Sequence, residues 1–181
     1  DNTLEAVTPN FVWAADNKTI FFVKQEPQTL RWYRVYRHEL GADASELVFE
    51  VEDETFGTFV YQAISGAYTY IYSRSTISAE VRYIPSDTPA ADPMLFLPRR
   101  DNHEYYVTDG ADRFYVLSND GAENFQVLEA PLNDTSQDAW KAVVPHRDDV
   151  LVEGLSVFEN FVVIDGTRQG LNQIEVLDRE S

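Results

Sequence analysis

Tyr68-Thr69-Tyr70-Ile71-Tyr72, entered through the turn pair Ser65-Gly66, is the stretch that decides how this chain folds. Aromatic and β-branched side chains suit a pleated, half-buried surface, and glycine marks where the chain reverses. The same signature recurs as Thr19-Ile20-Phe21-Phe22-Val23 after Asp16-Asn17, and as Arg113-Phe114-Tyr115-Val116-Leu117 after Gly110-Ala111-Asp112. It occurs a fourth time as Phe161-Val162-Val163-Ile164-Asp165 after Glu159-Asn160. The four starts, at residues 19, 68, 113 and 161, lie 49, 45 and 48 residues apart.

A second series carries the same period. Tyr33-Arg34-Val35-Tyr36-Arg37, Ala79-Glu80-Val81-Arg82-Tyr83, Phe125-Gln126-Val127-Leu128 and Asn172-Gln173-Ile174-Glu175-Val176 alternate polar with apolar residues, as half-buried strands do. Their centres, Val35, Val81, Val127 and Ile174, are spaced 46, 46 and 47. Further strands are expected before each turn, at Phe11–Ala14, Phe59–Ile64, Glu104–Val107 and Glu153–Phe158. Closing strands are expected at Glu46–Glu50, Met94–Leu97 and Trp140–Val144. Four strands in each stretch of roughly 45 to 50 residues is the arithmetic of a propeller blade. No segment keeps apolar residues at helical spacing over three turns. The expected fold is therefore all-β: a β-propeller segment of about four blades of four antiparallel strands, the last incomplete. The blades fall near 11–50, 58–97, 104–144 and 152–178 of a single 1–181 partial propeller. An arc that does not close shows raw sheet faces, so self-association or a loosely held last blade is expected of the isolated chain.

The 31 acidic and 14 basic residues leave a net charge of −17. Such a field repels nucleic-acid phosphates and attracts cations, so no nucleic-acid partner is expected; because the acids are scattered, solubility is favoured over attraction of a basic ligand as their role. No apolar run approaches the ~20 residues of a membrane helix, so no membrane partner is expected either. The start, Asp1-Asn2-Thr3-Leu4-Glu5, carries neither the basic nor the apolar region of a signal peptide, and no initiator Met. It reads as a start inside a longer frame, or as a trimmed end. There are no cysteines, which fits a cytoplasmic location and removes thiolate nucleophiles and Cys-based zinc sites.

No catalytic, cofactor-binding or metal-ligating residue is expected in this chain, and no cofactor. The string nearest a nucleophile elbow, Gly154-Leu155-Ser156-Val157-Phe158, lacks the final glycine and falls in an expected strand. His38, His103 and His146 show no i, i+4 pair for zinc. His103-Glu104 has the form of a base with an orienting acid, yet no Ser, Thr or Cys partner can be assigned to it. Ser118-Asn119-Asp120-Gly121 has the opening of a sialidase Asp-box without the later Trp. Trp13, Trp32 and Trp140 do not recur at one repeat position, which disfavours WD40 repeats. Arg99-Arg100-Asp101-Asn102-His103-Glu104-Tyr105 is the most charged junction, expected to be a solvated loop with an ion pair between blades.

Several strings carry a family resemblance. Val12-Trp13-Ala14-Ala15-Asp16-Asn17, Thr29-Leu30-Arg31 leading to Val35-Tyr36-Arg37-His38, and Ser78-Ala79-Glu80-Val81-Arg82 are three of them. Phe96-Leu97-Pro98-Arg99-Arg100 with His103-Glu104-Tyr105, Asn124-Phe125 and Arg168-Gln169-Gly170-Leu171 complete the set. In order, and through nearly the whole chain, they resemble the propeller of the oligopeptidase B branch of the prolyl oligopeptidase family of serine peptidases. The resemblance implies a seven-bladed propeller capping an α/β-hydrolase domain that lies outside this chain and holds a Ser-Asp-His triad. It further implies cleavage of short peptides after Arg or Lys, with the propeller filtering out bulky substrates. The implied partners are that hydrolase domain of the same parent chain and basic oligopeptide substrates. By itself the chain is expected to be inactive, with no catalytic residue to carry over. The competing reading is an independent propeller scaffold that binds protein or peptide, and a downstream G-x-S-x-G in the parent frame separates the two.

Overall fold

The computed structural model describes residues 3–179, so the ends of the 1–181 span lie outside it. Among those residues lie four separate antiparallel sheets of four, four, four and three strands, each ordered as in the sequence. The first holds β1 (Val7–Trp13), β2 (Thr19–Gln25), β3 (Trp32–Glu39) and β4 (Glu46–Glu50). The second holds β5 (Gly57–Gln62), β6 (Tyr68–Arg74), β7 (Ala79–Pro85) and β8 (Met94–Leu95). The third holds β9 (Tyr105–Asp109), β10 (Arg113–Ser118), β11 (Gln126–Pro131) and β12 (Lys141–Val144). The fourth holds β13 (Val150–Val157), β14 (Phe161–Arg168) and β15 (Leu171–Asp178). All-β architecture in four-stranded meanders is the propeller pattern expected from the spacing.

The chain divides into two compact units, Asp1–Gln62 with Gly66–Pro98, and Ala63–Ser65 with Arg99–Ser181. In the first unit, Phe21, Val23 and Val35 of the first sheet pack on Val60, Ile71 and Ile84 of the second. Each fully buried side chain of this size contributes about 1.5–3 kcal/mol. Polar side chains also cross between these sheets. Asn10 donates to the Val60 carbonyl at 2.9 Å and accepts from the Val60 N–H at 2.7 Å, so an amide side chain stands in for a strand. Arg31 donates to the carbonyls of Val51, Asp53 and Phe56, closing the segment between β4 and β5. Arg37 reaches the carbonyls of Pro89 and Ala91.

In the second unit, Tyr115, Leu117, Val127 and Val144 of the third sheet pack on Val152, Leu155, Val157, Val162 and Ile164 of the fourth. Asn124 donates to the carbonyls of Arg147 and Asp148, which sets the segment leading into β13. Arg179 is the other tie. Its guanidinium donates to Tyr115 Oη, to the carbonyls of Phe158, Glu159 and Gly110, and to the Asp112 carboxylate. A Cβ on Gly110 would stand 2.5 Å from Arg179 Nη2, so any larger residue there requires the guanidinium to shift.

The strand ends differ from expectation where backbone chemistry intervenes. β1 begins at Val7 rather than Phe11, because a bulge between Val7 and Phe11 lets the chain rejoin β2 earlier. β8 stops at Leu95 rather than Leu97 and lies between Pro93 and Pro98, neither of which can donate to a ladder. Phe125 is not in β11: its φ of 63° places it in the turn, and the strand starts at Gln126. Trp140 precedes β12, held by a 3-10 turn at Gln137–Ala139 and by its indole N–H on the Thr135 carbonyl. β13 starts at Val150, three residues early, with a bulge between Val152 and Gly154.

The repeat keeps its position to within a few residues but does not keep its burial. Val35, Val81 and Val127 are completely buried, whereas Ile174 is 72 % exposed. Ile174 shares its outward-facing row with Val176, and among the described residues no sheet covers it.

Candidate functional site

Ser156 lies mid-strand in β13, register-paired with Val163, and has none of the strained turn that presents a nucleophile. The bulge at Gly154 brings Asp165 beneath it, 3.1 Å from where a Cβ would sit. The three histidines occupy three unrelated places. His38 is buried at the end of β3, its Nδ1 3.2 Å from Ser45 Oγ. His146 precedes β13, its Nδ1 3.6 Å from Asp148. Among the described residues no three His, Asp or Glu side chains gather as metal ligands.

His103 does have a serine partner, which corrects the sequence reading. Its Nε2 shares a hydrogen bond with Ser118 Oγ at 2.9 Å. The two residues lie 15 positions apart, joined across the β9–β10 hairpin, and only the hairpin register shows that they meet. The pair is a structural one: Ser118 is fully buried and His103 is 1 % exposed, so no substrate carbonyl reaches either. The imidazole stacks on Tyr105 with ring centres 4.9 Å apart. Ser118 Oγ also accepts the Asp120 N–H at 3.1 Å, so the Ser-Asn-Asp-Gly string closes a turn after β10.

Around this pair the charged junction is organised. Arg100 meets Asp120 at 2.7 Å, and Gln137 donates to the other Asp120 oxygen at 2.8 Å. The ion pair therefore joins the segment before β9 to a turn of the same sheet, not two neighbouring blades as expected. The hydrogen bond from Arg100, aided by that from Gln137, holds the Asp120 carboxyl below the usual carboxylate range despite partial burial. Asn119 completes the junction, accepting the Glu104 N–H at 2.9 Å and donating its own N–H to the Glu104 carbonyl at 3.1 Å.

Two open cavities are the other candidates. In the first unit, one of about 340 Å³ is bordered by Asp16, Arg37, Glu39 and Glu46 beside small residues. Arg37 and Glu46 form a two-point ion pair at 2.8 and 2.9 Å, which holds the exposed Glu46 carboxyl below its ordinary value. In the second unit, a cavity of about 420 Å³ is floored by Gly166, Ile164 and Val150 and rimmed by Arg147, Gln173 and Glu175. Arg147 and Glu175 pair across its mouth at 2.9 Å.

The family model for the prolyl oligopeptidase N-terminal β-propeller domain matches residues 1–181. The chain belongs to that family. A propeller domain of the prolyl oligopeptidase family accounts for four separate meanders and for a site inventory that is structural in character. The chain is similar to dipeptidyl aminopeptidase BI of Pseudoxanthomonas mexicana, 38 % identical over 97 % of this chain and 25 % of that protein. It is similar to protease 2 of Moraxella lacunata, 34 % identical over 91 % of this chain and 24 % of the relative. Among solved structures, oligopeptidase B from Leishmania major superposes with a TM-score of 0.90 at 28 % identity, over 96 % of this chain and 24 % of that one. The chain thus spans about a quarter of the length of the relatives it matches.

Proposed function

We propose that this propeller domain is the non-catalytic, substrate-gating part of a serine oligopeptidase that hydrolyses short peptides after Arg or Lys. The observation that carries the reading is the family membership over the whole chain, joined to the close superposition on an oligopeptidase B. Its partner is an α/β-hydrolase domain of the same parent chain, which supplies the serine nucleophile and forms an ester with the peptide's acyl group. The propeller's task is steric: it keeps folded proteins from that serine and encloses the peptide that enters.

The charge supports the basic substrate class. A net charge of −17 raises the local concentration of cationic peptides, and the cavity beside Asp16, Glu39 and Glu46 adds carboxylates to that surface. The lack of cysteine accords with a cytoplasmic location, which fractionation of the parent protein tests.

The similarity to a dipeptidyl aminopeptidase favours a second reading, release of dipeptides. Hydrolysis by the intact parent protein separates the two. Chromogenic peptides with a blocked N-terminus and Arg, Lys, Pro or Ala before the scissile bond should be cut after Arg and Lys. Preference for substrates with a free N-terminal dipeptide overturns the oligopeptidase reading. Association with Arg-containing peptides should slow as ionic strength rises, because exposed charges are screened beyond about 10 Å at 0.1 M. A salt-insensitive rate removes the electrostatic part. Serine-hydrolase activity in the separate propeller would refute its non-catalytic role.

A further inference from the structure

The segment 99–104 is fastened to the turn after β10 by three side chains of different character. Asn119 binds its backbone, Arg100 reaches Asp120, and His103 reaches Ser118. Of the three fastenings only the histidine changes charge near neutral pH.

Its surroundings suit only the uncharged ring. His103 is 1 % exposed, one ring nitrogen faces Ser118, and Nδ1 is buried with no hydrogen-bond partner. A neutral imidazole with the proton on Nε2 leaves Nδ1 a bare acceptor, which burial tolerates at moderate cost. An imidazolium carries N–H on both nitrogens, and the buried Nδ1–H then has nothing to donate to. The charged groups acting on the ring are Arg100 on its own segment and Asp120 on the facing turn. β9 contributes Tyr105 and β10 contributes Ser118, both uncharged in this range. Asp120 is already committed to Arg100 and Gln137, so it is not available as a counter-ion in contact with the ring.

We propose that His103 is an acid-sensitive latch: its protonation releases the segment 99–104 from the turn after β10 and loosens the start of β9. Burial first, then the Arg100 cation, hold its pKa below the ordinary 6.5, against the opposing pull of Asp120. The direction of the pH effect follows. The open state takes up the proton more readily than the closed state, so the latch is fully effective above about 6.5. It weakens as pH falls from there toward the depressed pKa of the closed state. The latch requires nothing of the parent's substrate, so it stands or falls independently of the peptidase reading.

The test is amide hydrogen exchange of the intact parent protein between pH 7.5 and 5, corrected for intrinsic exchange rates. The opening constant for amides in 99–106 and 118–121 should rise by roughly tenfold per pH unit below about 6.5, the signature of one proton. His103→Gln keeps a partner for Ser118 but does not titrate, and should flatten that slope whatever its absolute protection. If the variant fails to fold, the wild-type imidazole resonances decide. His103 should stay neutral below the ordinary 6.5 while local exchange rises. An imidazole that titrates at or above 6.5, or a pH slope that survives His103→Gln, overturns the proposal.

Discussion

Replacing Gly110 and Arg179 by alanine, singly and together, probes one clasp from both sides. Arg179 has a side chain only 11 % exposed, and its guanidinium donates to Tyr115, Asp112 and three backbone carbonyls. At roughly 1 kcal/mol net per hydrogen bond, the four neutral acceptors amount to about 3–4 kcal/mol. The half-exposed Asp112 adds less than about 1 kcal/mol. Arg179→Ala should therefore cost roughly 3 kcal/mol, or about 6–12 °C in Tm for a domain of this size. Gly110→Ala should cost about 2 kcal/mol of that while leaving the arginine in place, since its Cβ would stand 2.5–2.9 Å from the guanidinium and push it off its acceptors. With the arginine already removed, the three atoms nearest that Cβ are gone and the glycine's φ is not left-handed, so the second substitution should change stability by less than about 1 kcal/mol. The expected coupling is about 2 kcal/mol, measured by denaturant unfolding of the four proteins and by exchange of amides 110–117 and 158–161. Strict additivity, or Arg179→Ala melting within about 1 °C of wild type, would refute the clasp.

Other perturbations have defined outcomes. Phe21→Ala empties a fully buried position at the contact of the first two sheets and should cost about 3–5 kcal/mol in urea unfolding. Because Arg100 keeps the Asp120 carboxyl below its ordinary 3.8, the pair contributes stability above that pH and loses it as pH falls further. With both side chains more than 40 % exposed the effect stays under about 1 kcal/mol, and Arg100→Gln should erase it in acid unfolding curves. Ile174→Ser with Val176→Thr, on the bare face of β15, should lower self-association of the separate chain in small-angle scattering without unfolding it.

The sheets themselves were legible because strand formation depends on local pattern. Alternation along Tyr33–Arg37 or Ala79–Tyr83, bounded by turn residues, is a property of neighbouring side chains. Four repetitions at one period averaged out local noise. Strand ends were less legible: the bulge behind Val7 and the left-handed Phe125 depend on how one strand meets another, while the two prolines that flank the short β8 were present in the sequence. The fastenings were not legible. His103 and Ser118 are 15 residues apart, and Gly110 and Arg179 are 69 apart.

The sequence by itself determined the strand count, the period and the family, because these are written in short-range periodicity and in short strings read in order along the chain. Tertiary structure alone decided which chemically ordinary residues meet. It buried a lone histidine against a serine, made a glycine the socket for an arginine, and placed Val35 in the core between two sheets. The physical reason is that burial and hydrogen-bond pairing are set by the neighbouring sheet, whose position no local pattern encodes.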